Sequence, residues 1–309
     1  MACAGERAVR TVESSLTTRD GHILYTKSWE APPGEAKAGL AWLHGFSDHC
    51  NNYDDFCRSL ASHGITVFAY DQRGWGRSAR CPVHVGQTGP TQTVLSDMTD
   101  FINSLPPMGD LPLFLGGHSM GGAACLVWAS QCAHGTNKRI RGYVLESPYL
   151  VLHPSLDPSP GVVWLVRGLA WCLPNLRVRN EQRPELISRS TKAIERYRRD
   201  PLNYERVTLE CIAETYARGR QVAGGSDDLV EAADGRAVGL WIGHGDRDYI
   251  VSYEATRAYF ERSGIRDKTF ETYESCYHSL HLELDQARAR FTSDVIAWIR
   301  ERAAVEEVQ

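Results

Sequence analysis

The sequence lacks several features that would assign it to a specialised class of protein. Its nine cysteines are an odd number without a Cys-x-x-Cys pair, and a chain of 309 residues needs no disulfide framework to fold. Lys plus Arg total 34 against 38 Asp plus Glu, so the net charge of −4 gives no electrostatic reason to bind nucleic acid. These absences predict reduced cysteines, a cytoplasmic location and no nucleic-acid partner.

The sequence also lacks the apolar segments of secreted and membrane-spanning proteins. The first twenty residues mix charged and hydroxyl side chains, without the apolar core of a signal peptide. The longest apolar run, residues 162–173, is interrupted by Arg167 and is shorter than the roughly 18 to 20 residues that span a bilayer. We therefore expect that the protein is not secreted and does not cross a membrane.

The most regular feature of the sequence is an alternation of short β-rich runs with longer helical patterns. Strand patterns occupy seven stretches: residues 22–29, 39–43, 65–70, 113–115, 143–145, 238–242 and 268–273. Helical patterns occupy residues 91–105, 120–131, 253–262 and 284–302. Alternating strands and helices predict an α/β fold, with a mostly parallel central sheet flanked by helices on both faces.

The stretch 147–234 interrupts this alternation. It opens with four prolines between residues 148 and 160, continues with helical patterns and shows no convincing strand. The strand pattern at 238–242 resumes the earlier alternation. We predict a helical cap at residues 147–234, inserted into a core formed by residues 1–146 and 235–309.

The most informative motif is Gly117-His118-Ser119-Met120-Gly121, which lies between an apolar strand pattern and a helix of small residues. A Gly-x-Ser-x-Gly motif in this context is typical of a sharp strand-to-helix turn that exposes the serine, and its glycines remove side chains that would collide there. The free amides at the start of the helix point toward the reaction centre. We predict that Ser119 is a nucleophile.

A nucleophilic serine needs a histidine base, and the histidine needs an acid that orients it. In this type of fold the acid precedes the histidine along the chain. His278 and His281 lie between the last strand and the last helix; we predict His278 as the base, because it comes first, and His281 as a residue lining the pocket. Asp246 and Asp248 both follow the strand at 238–242, and their spacing alone does not separate them.

The serine also needs an oxyanion hole, which two backbone N–H groups can form. Met120 supplies one as the residue after the nucleophile, and Phe46 supplies the other in the turn after strand 39–43. The glycine-rich turn at 74–79 opens into no helix, so we predict a structural turn instead of a dinucleotide-binding loop. Neither a cofactor nor a metal is expected.

Together these residues resemble the monoacylglycerol lipase and lysophospholipase branch of the α/β-hydrolases. The motifs that carry the resemblance are His44-Gly45, Asp71-Gln72-Arg73-Gly74-x-Gly76-x-Ser78, Gly117-His118-Ser119-Met120-Gly121-Gly122, Asp200-Pro201-Leu202, His244-Gly245-x-x-Asp248 and Tyr277-His278-x-x-His281. The resemblance implies Asp248 as the acid, with Asp246 as the alternative, His278 as the base, and a helical lid over an acyl-chain tunnel. Two residues depart from the family pattern near the expected alcohol site: Phe46 replaces a small residue, and Asn52 stands where an arginine is common.

The resemblance further implies the reaction. The expected substrate is a lipid-like ester, and the expected reaction releases a fatty acid and glycerol from a monoacylglycerol through an acyl-enzyme on Ser119. The alternatives within the enzyme class are a lysophospholipase, a general carboxylesterase and a peptidase of related fold. The alternative from another class is a non-catalytic binding protein with the same fold, and the pattern specifies no oligomeric state.

The cap segment carries apolar residues at helical spacing, namely Val162, Leu165, Val166, Leu169 and Leu173. Leu165 and Leu169 are expected to bind the acyl chain of the substrate. The same stripe has two interpretations, which the sequence leaves open. The helix packs inside the cap, or it makes peripheral contact with a membrane or lipid droplet.

Overall fold

The computed structural model describes residues 9–131, 139–225 and 238–304. The strands of the main sheet are β1 Arg10–Thr17, β2 Ile23–Glu30, β3 Ala38–Leu43, β4 Ile65–Tyr70, β5 Leu113–His118, β6 Ile140–Glu146, β9 Gly239–Gly245 and β10 Lys268–Tyr273; β7 Arg177–Arg179 pairs with β8 Arg206–Thr208 in a separate small sheet. The helices are α1 Asp54–Ser62, α2 Thr91–Ser104, α3 Met120–Gln131, α4 Pro160–Cys172, α5 Pro184–Ile187, α6 Thr191–Arg199, α7 Leu209–Ala223, α8 Tyr253–Arg262 and α9 Asp285–Ala304.

The main sheet has the strand order β1-β2-β4-β3-β5-β6-β9-β10. The six strands from β4 to β10 in this order pair in parallel, and β1 and β2 pair antiparallel at one edge. The predicted α/β-hydrolase fold with a mostly parallel sheet is confirmed. The strand β1 was not predicted, and its residues are half-buried or exposed.

The core follows the two-residue period of the strands. One face of the sheet presents Trp42, Phe114, Val144 and Trp241 to the helices α1 and α9. Residues adjacent to these along the strands, at 41, 115, 145 and 242, pack on the other face against α2, α3 and α8. Because both faces are covered by helices, the central strands are buried along their whole length.

In the described residues between β6 and β9, which belong to the segment predicted to be a cap, there are four helices and the small sheet. The expectation that this segment holds no strand is wrong, since β7 and β8 pair antiparallel through three residues each. Three of the helices in the second half of the chain, α6, α7 and α8, begin after Ser190, Thr208 and Ser252, whose side-chain oxygens accept a backbone N–H three residues later. The domain boundaries themselves stay a prediction, and the one at residues 234 and 235 lies outside the described residues.

A buried ion pair connects the turn after β4 to α2. Arg73 donates to Asp97 from Nε at 2.9 Å and from Nη2 at 2.8 Å, and Asp97 is 3% exposed. We expect Arg73→Gln to lower the free energy of unfolding by about 3 kcal/mol, because it leaves a buried carboxylate without its cation. Urea denaturation measures this change.

The matched control is Arg10→Gln, which removes a solvent-exposed pair with Glu30 at 3.7 Å. We expect it to change the free energy of unfolding by less than about 1 kcal/mol, since exposed ion pairs are screened by water. Equal losses in the two variants would contradict the assignment of Arg73 to a buried pair.

Candidate active site

The strand-to-helix turn at Ser119 is fixed by close backbone packing. Ser119 has a φ of +52°, and its N–H donates to the Glu146 carbonyl at 2.9 Å. A Cβ atom at Gly117 would lie 2.8 Å from the carbonyl carbon of Gly121, and one at Gly121 would lie 2.5 Å from the Leu43 carbonyl oxygen. Only glycine fits at these two positions. The two glycines therefore allow the close turn that places Ser119 at the carboxyl end of β5.

The Asp248 carboxylate joins the end of β9 to the loop that carries His278. Its Oδ2 accepts from His278 Nδ1 at 2.7 Å and from His244 Nε2 at 2.9 Å, and its Oδ1 accepts from the N–H groups of Ile250 and Val251. Burial raises the pKa of Asp248, but the charge of His278 and the two histidine hydrogen bonds outweigh burial and hold it below its usual range. An ionised carboxylate only accepts hydrogen bonds, so Nδ1 of His278 carries a proton and Nε2 is free to accept one.

The alternative acid, Asp246, lies elsewhere. Its side chain is exposed, and its Oδ1 accepts the backbone N–H of Ser275 at 2.6 Å. Asp246 therefore stabilises the turn after β10, as carboxylates in turns commonly do. The structure brings Asp248, not Asp246, to His278.

The two predicted oxyanion donors border the same cavity as Ser119 and His278. Among the residues that the structure describes, the N–H groups of Phe46 and Met120 donate no hydrogen bond. Met120 is the first residue of α3, where backbone N–H groups lack partners within the helix. Both amides are therefore available to a negatively charged oxygen.

The loop that carries Phe46 is held from two sides. Gly45 N–H donates to the Tyr53 hydroxyl at 3.2 Å, and this hydroxyl donates to Asp48 at 2.6 Å. His44 accepts the Gln72 N–H at Nε2 and contacts the Gly45 carbonyl through Nδ1, an arrangement that only the neutral ring with a proton on Nδ1 allows. Burial lowers the pKa of His44, which favours this neutral form. The glycine-rich turn at 71–79 thus supports the oxyanion loop.

The cavity has a volume of about 460 Å³ and lies between the sheet and the cap. Its lining includes six apolar side chains from both parts of the chain: Phe46, Leu152, Leu156, Ile212, Ile250 and Leu282. Polar side chains also border it, among them Asn52, Asn180 and Gln182. A cavity of this size accommodates an organic molecule with a substantial apolar part.

Three residues expected to bind substrate do not line this cavity. His281 is buried behind it, where Nδ1 lies 2.8 Å from Glu146 and the ring stacks on Tyr53 with centroids 4.2 Å apart. Leu165 and Leu169 lie on the outward face of α4 and are 62% and 39% exposed. These three side chains therefore do not lie on the cavity wall, and their role in binding substrate stays a prediction. For Leu165 and Leu169, helical spacing reveals a stripe but not the side of the helix that faces inward.

A buried cluster that was not predicted from the sequence lies next to Ser119. The ligand-type atoms of His118, Glu146 and His281 lie within 4.8 Å of one another. Two histidines and a carboxylate are a donor set that zinc accepts, but the Glu146 oxygens already accept the His281 N–H at 3.0 Å and its Nδ1 at 2.8 Å. The hydrogen bonds account for the cluster, and we assign no step of the chemistry to a metal. A glutamate ending a buried strand was the only signal in the sequence.

The cap supplies a guanidinium group at the position where Asn52 departs from the family pattern. Arg196 donates through Nη2 to the Asn52 carbonyl at 3.0 Å and to Asn52 Oδ1 at 3.3 Å. Asn52 in turn donates to Asp48 at 2.6 Å. Arg196 lies in α6, 144 residues from Asn52 in the sequence.

Comparisons with known proteins agree with this geometry. The family model Hydrolase_4, described as serine aminopeptidase S33, matches residues 34–285. The chain is similar to a putative monoglyceride lipase of Schizosaccharomyces pombe, with 30% identity over 92% of this chain and 73% of the relative. It is also similar to the monoglyceride lipase of Rattus norvegicus, with 27% identity over 94% and 91% of the two chains.

A solved structure shares the fold over nearly the whole chain. It is a soluble variant of the monoglyceride lipase of Saccharomyces cerevisiae in complex with a substrate analog. The TM-score is 0.84 and the identity 21%, with 98% of this chain and 100% of the other covered.

The buried His118 predicts a pH dependence of stability. Burial lowers the pKa of His118 to about 3, with the charges of His278 and His281 acting in the same direction and Glu146 opposing. The unfolded chain takes up a proton at this histidine below about pH 6.5, whereas the folded chain does not. The stability that depends on neutral His118 is therefore complete above pH 6.5 and is lost as the pH falls toward 3, by at most about 1.4 kcal/mol per pH unit.

We expect His118→Asn to flatten the fall of the free energy of unfolding between pH 6.5 and 4, measured by urea denaturation at each pH. The control His63→Asn changes an exposed histidine and should keep the slope of the unchanged protein. Parallel curves for His118→Asn and the unchanged protein would contradict the argument.

Proposed function

Because the chain belongs to the serine aminopeptidase S33 family, Hydrolase_4, we propose that it hydrolyses the ester bond of a monoacylglycerol to a fatty acid and glycerol. The observation that carries this proposal is the cavity in which Ser119, His278 and two free backbone amides meet an apolar wall. Relatives named monoglyceride lipase, at 27% and 30% identity over most of the chain, support the same substrate class.

The reaction begins at the Ser119 hydroxyl, which attacks the ester carbonyl while His278 Nε2 takes its proton. Asp248 stabilises the positive imidazolium, and the Phe46 and Met120 amides hold the oxyanion. His278 returns the proton to the leaving glycerol oxygen, and the acyl group remains on Ser119. Water activated by His278 then attacks the acyl-enzyme and releases the fatty acid.

The state of the carboxylates at the cavity favours an ester substrate over a peptide, because both carboxylates already have partners. An aminopeptidase must bind the positive amino terminus of its substrate, for which a free carboxylate is the natural partner. Among the described residues that line the cavity, only Asp48 and Glu181 are acidic. Asp48 accepts hydrogen bonds from Asn52 and Tyr53, and Glu181 is exposed and lies 2.9 Å from the positive charge of Arg179, so neither is a buried carboxylate without partners.

The proposed catalytic roles predict losses of kcat that differ in size from one variant to another. We expect Ser119→Ala and His278→Ala each to lower kcat for monoacylglycerol by about 10⁶, and Asp248→Asn by about 10⁴, because the three groups act as a unit. Asp246→Asn, the matched control at the same strand end, should keep kcat within about threefold, since its carboxylate supports only a turn. A large loss of kcat in Asp246→Asn, with kcat retained in Asp248→Asn, would show that the acid is misassigned.

The substrate itself is tested by comparing kcat/KM for monoacylglycerols, lysophosphatidylcholine, triacylglycerols, short-chain esters and aminoacyl anilides. Monoacylglycerol should rank first. A higher rate with lysophosphatidylcholine, short esters or anilides would favour a lysophospholipase, a general carboxylesterase or a peptidase in turn. A fluorophosphonate probe should label Ser119, and folded protein that resists labelling would favour a binding protein.

We also propose peripheral contact with a membrane or lipid droplet, made by α4. The inward face of this helix is narrow: Val163, Val166 and Ala170 are its less exposed positions, and α4 packs on α7. Its outward face is apolar, with Trp164 80% and Trp171 86% exposed. No helix in the described part of the chain is long and apolar enough to cross a bilayer. Such an exposed apolar patch supports lying on a lipid surface.

The cytoplasmic face of a membrane is our proposed location. The cysteines Cys50, Cys57, Cys125 and Cys211 are buried and carry free thiols, as in proteins of reducing compartments. The Arg and Lys residues between positions 177 and 199 contribute less to attraction for an anionic lipid surface than their number suggests. Arg189, Arg196 and Arg198 already contact Glu283, Asn52 and Glu185, respectively.

Flotation with phosphatidylcholine vesicles tests the contact. We expect Trp164→Asp/Trp171→Asp to lower the vesicle-bound fraction about tenfold or more, because two large apolar side chains no longer enter the lipid. The control Val83→Asp changes an apolar residue that is 61% exposed outside α4 and should float like the unchanged protein. Equal flotation of all three proteins would remove the membrane proposal.

A further inference from the structure

The cap and the loop that carries His278 are joined by direct hydrogen bonds. The segment between α5 and α6 runs alongside this loop. Ser279 N–H donates to the Ile187 carbonyl at 2.8 Å, and the Ser188 hydroxyl donates to the Leu282 carbonyl at 2.8 Å. Ser188 and Ser279 are 1% and 2% exposed, so these bonds are shielded from water. The loop that carries His278 (the base loop) therefore rests directly against the cap.

The strongest contact across this boundary is an ion pair. Arg189 donates from Nε to Glu283 Oε2 at 2.9 Å, and its backbone N–H approaches Oε1 at 3.4 Å. Arg189 Nη2 lies 3.3 Å from the sulfur of Cys276 in the same loop. The Glu283 side chain is fully buried, and Arg189 is the cation paired with it among the described residues. Removal of the guanidinium leaves this buried charge without its cation.

The Glu283 carboxylate also organises the base loop from within. Its Oε1 accepts the Tyr277 N–H at 2.9 Å, and its Oε2 accepts the Leu284 N–H at 3.0 Å. Tyr277 immediately precedes His278, so the carboxylate holds the backbone on both sides of the imidazole. Any displacement of Glu283 moves the attachment point of His278 directly.

We propose that Arg189 is a positioning residue that aligns His278 through Glu283, so that the base is in place only when the cap is seated. This inference rests on the proposed function, because it requires His278 to act as the base. Leu186 and Ile187, on the same cap segment, border the cavity together with Leu282 of the base loop. The walls that contact the substrate and the residues that align the base thus form one connected unit.

The first experiment measures kcat per active site, with the number of sites titrated by a fluorophosphonate probe. We expect Arg189→Gln to lower kcat per titrated site by about 10-fold to 100-fold, since displacements near 1 Å cost this much, and to leave KM within about twofold. Arg189→Lys should recover part of the loss, because it keeps the charge and one hydrogen bond. The matched control is Arg198→Gln, which removes an arginine that pairs with Glu185 inside the cap and should keep kcat unchanged.

The second experiment is a double-mutant cycle with Glu283→Gln. The two substitutions should together cost far less in kcat than the product of their separate effects, because both break the same link. Multiplicative losses would overturn the proposal. So would an Arg189→Gln variant that loses titratable sites or melting temperature while its kcat per remaining site stays unchanged. An unchanged protein that neither reacts with the probe nor hydrolyses any ester would instead defeat the proposed function, and the inference with it.

Discussion

The close approach of α3 to the end of β3 is the constraint on which the rest of the site depends. Gly121 lies so near the Leu43 carbonyl that a Cβ atom would come within 2.5 Å of its oxygen. This packing forces the chain into the left-handed turn at Ser119 and aims the start of α3 at the same point. The chain leaving β3 passes beside this turn, since a Cβ atom at Gly45 would lie 3.5 Å from Ser119 Cβ. Backbone packing thus brings the two predicted oxyanion donors near Ser119, and the side chains of Tyr53, His44 and Gln72 hold the loop of Phe46 in place.

Three buried carboxylates, Asp248, Glu146 and Glu283, contact the loop between β10 and α9 that carries His278. Burial of a carboxylate is costly unless cations and N–H donors replace the lost water. Here several of the donors come from this loop, whose N–H groups at 277, 281 and 284 bind Glu283 and Glu146. The loop contains only one short 3-10 helix, Leu280–Leu282, and it is ordered in this way because side-chain oxygens replace the missing backbone partners. The same bonds stabilise the carboxylates and hold the base.

Much of this architecture could be predicted from the sequence, and the failures have physical causes. The bounds of β4, β10, α3 and α8 agree with the prediction, because apolar periodicity, glycine and capping serines mark them. The edge strand β1 was not predicted, because a half-exposed strand needs few apolar residues and so shows a weak pattern. The three-residue strands of the cap are too short to show a period. The Glu146 contact with His281 spans 135 residues, and no local pattern predicts a partner so distant in sequence.

The outward-facing leucines of α4 show how the cap connects a surface to the chemistry. Val163, Val166 and Ala170 are the more buried positions of this helix, which packs on α7, and α7 supplies Ile212 and Thr215 to the cavity wall. A helix that rests on lipid through Trp164 and its neighbours would therefore press on the wall that contacts the acyl chain. The cap continues from α4 through α5 to the segment hydrogen-bonded to the base loop. In the proposed mechanism, lipid contact, acyl binding and alignment of the base are therefore coupled, because the same cap makes all three contacts.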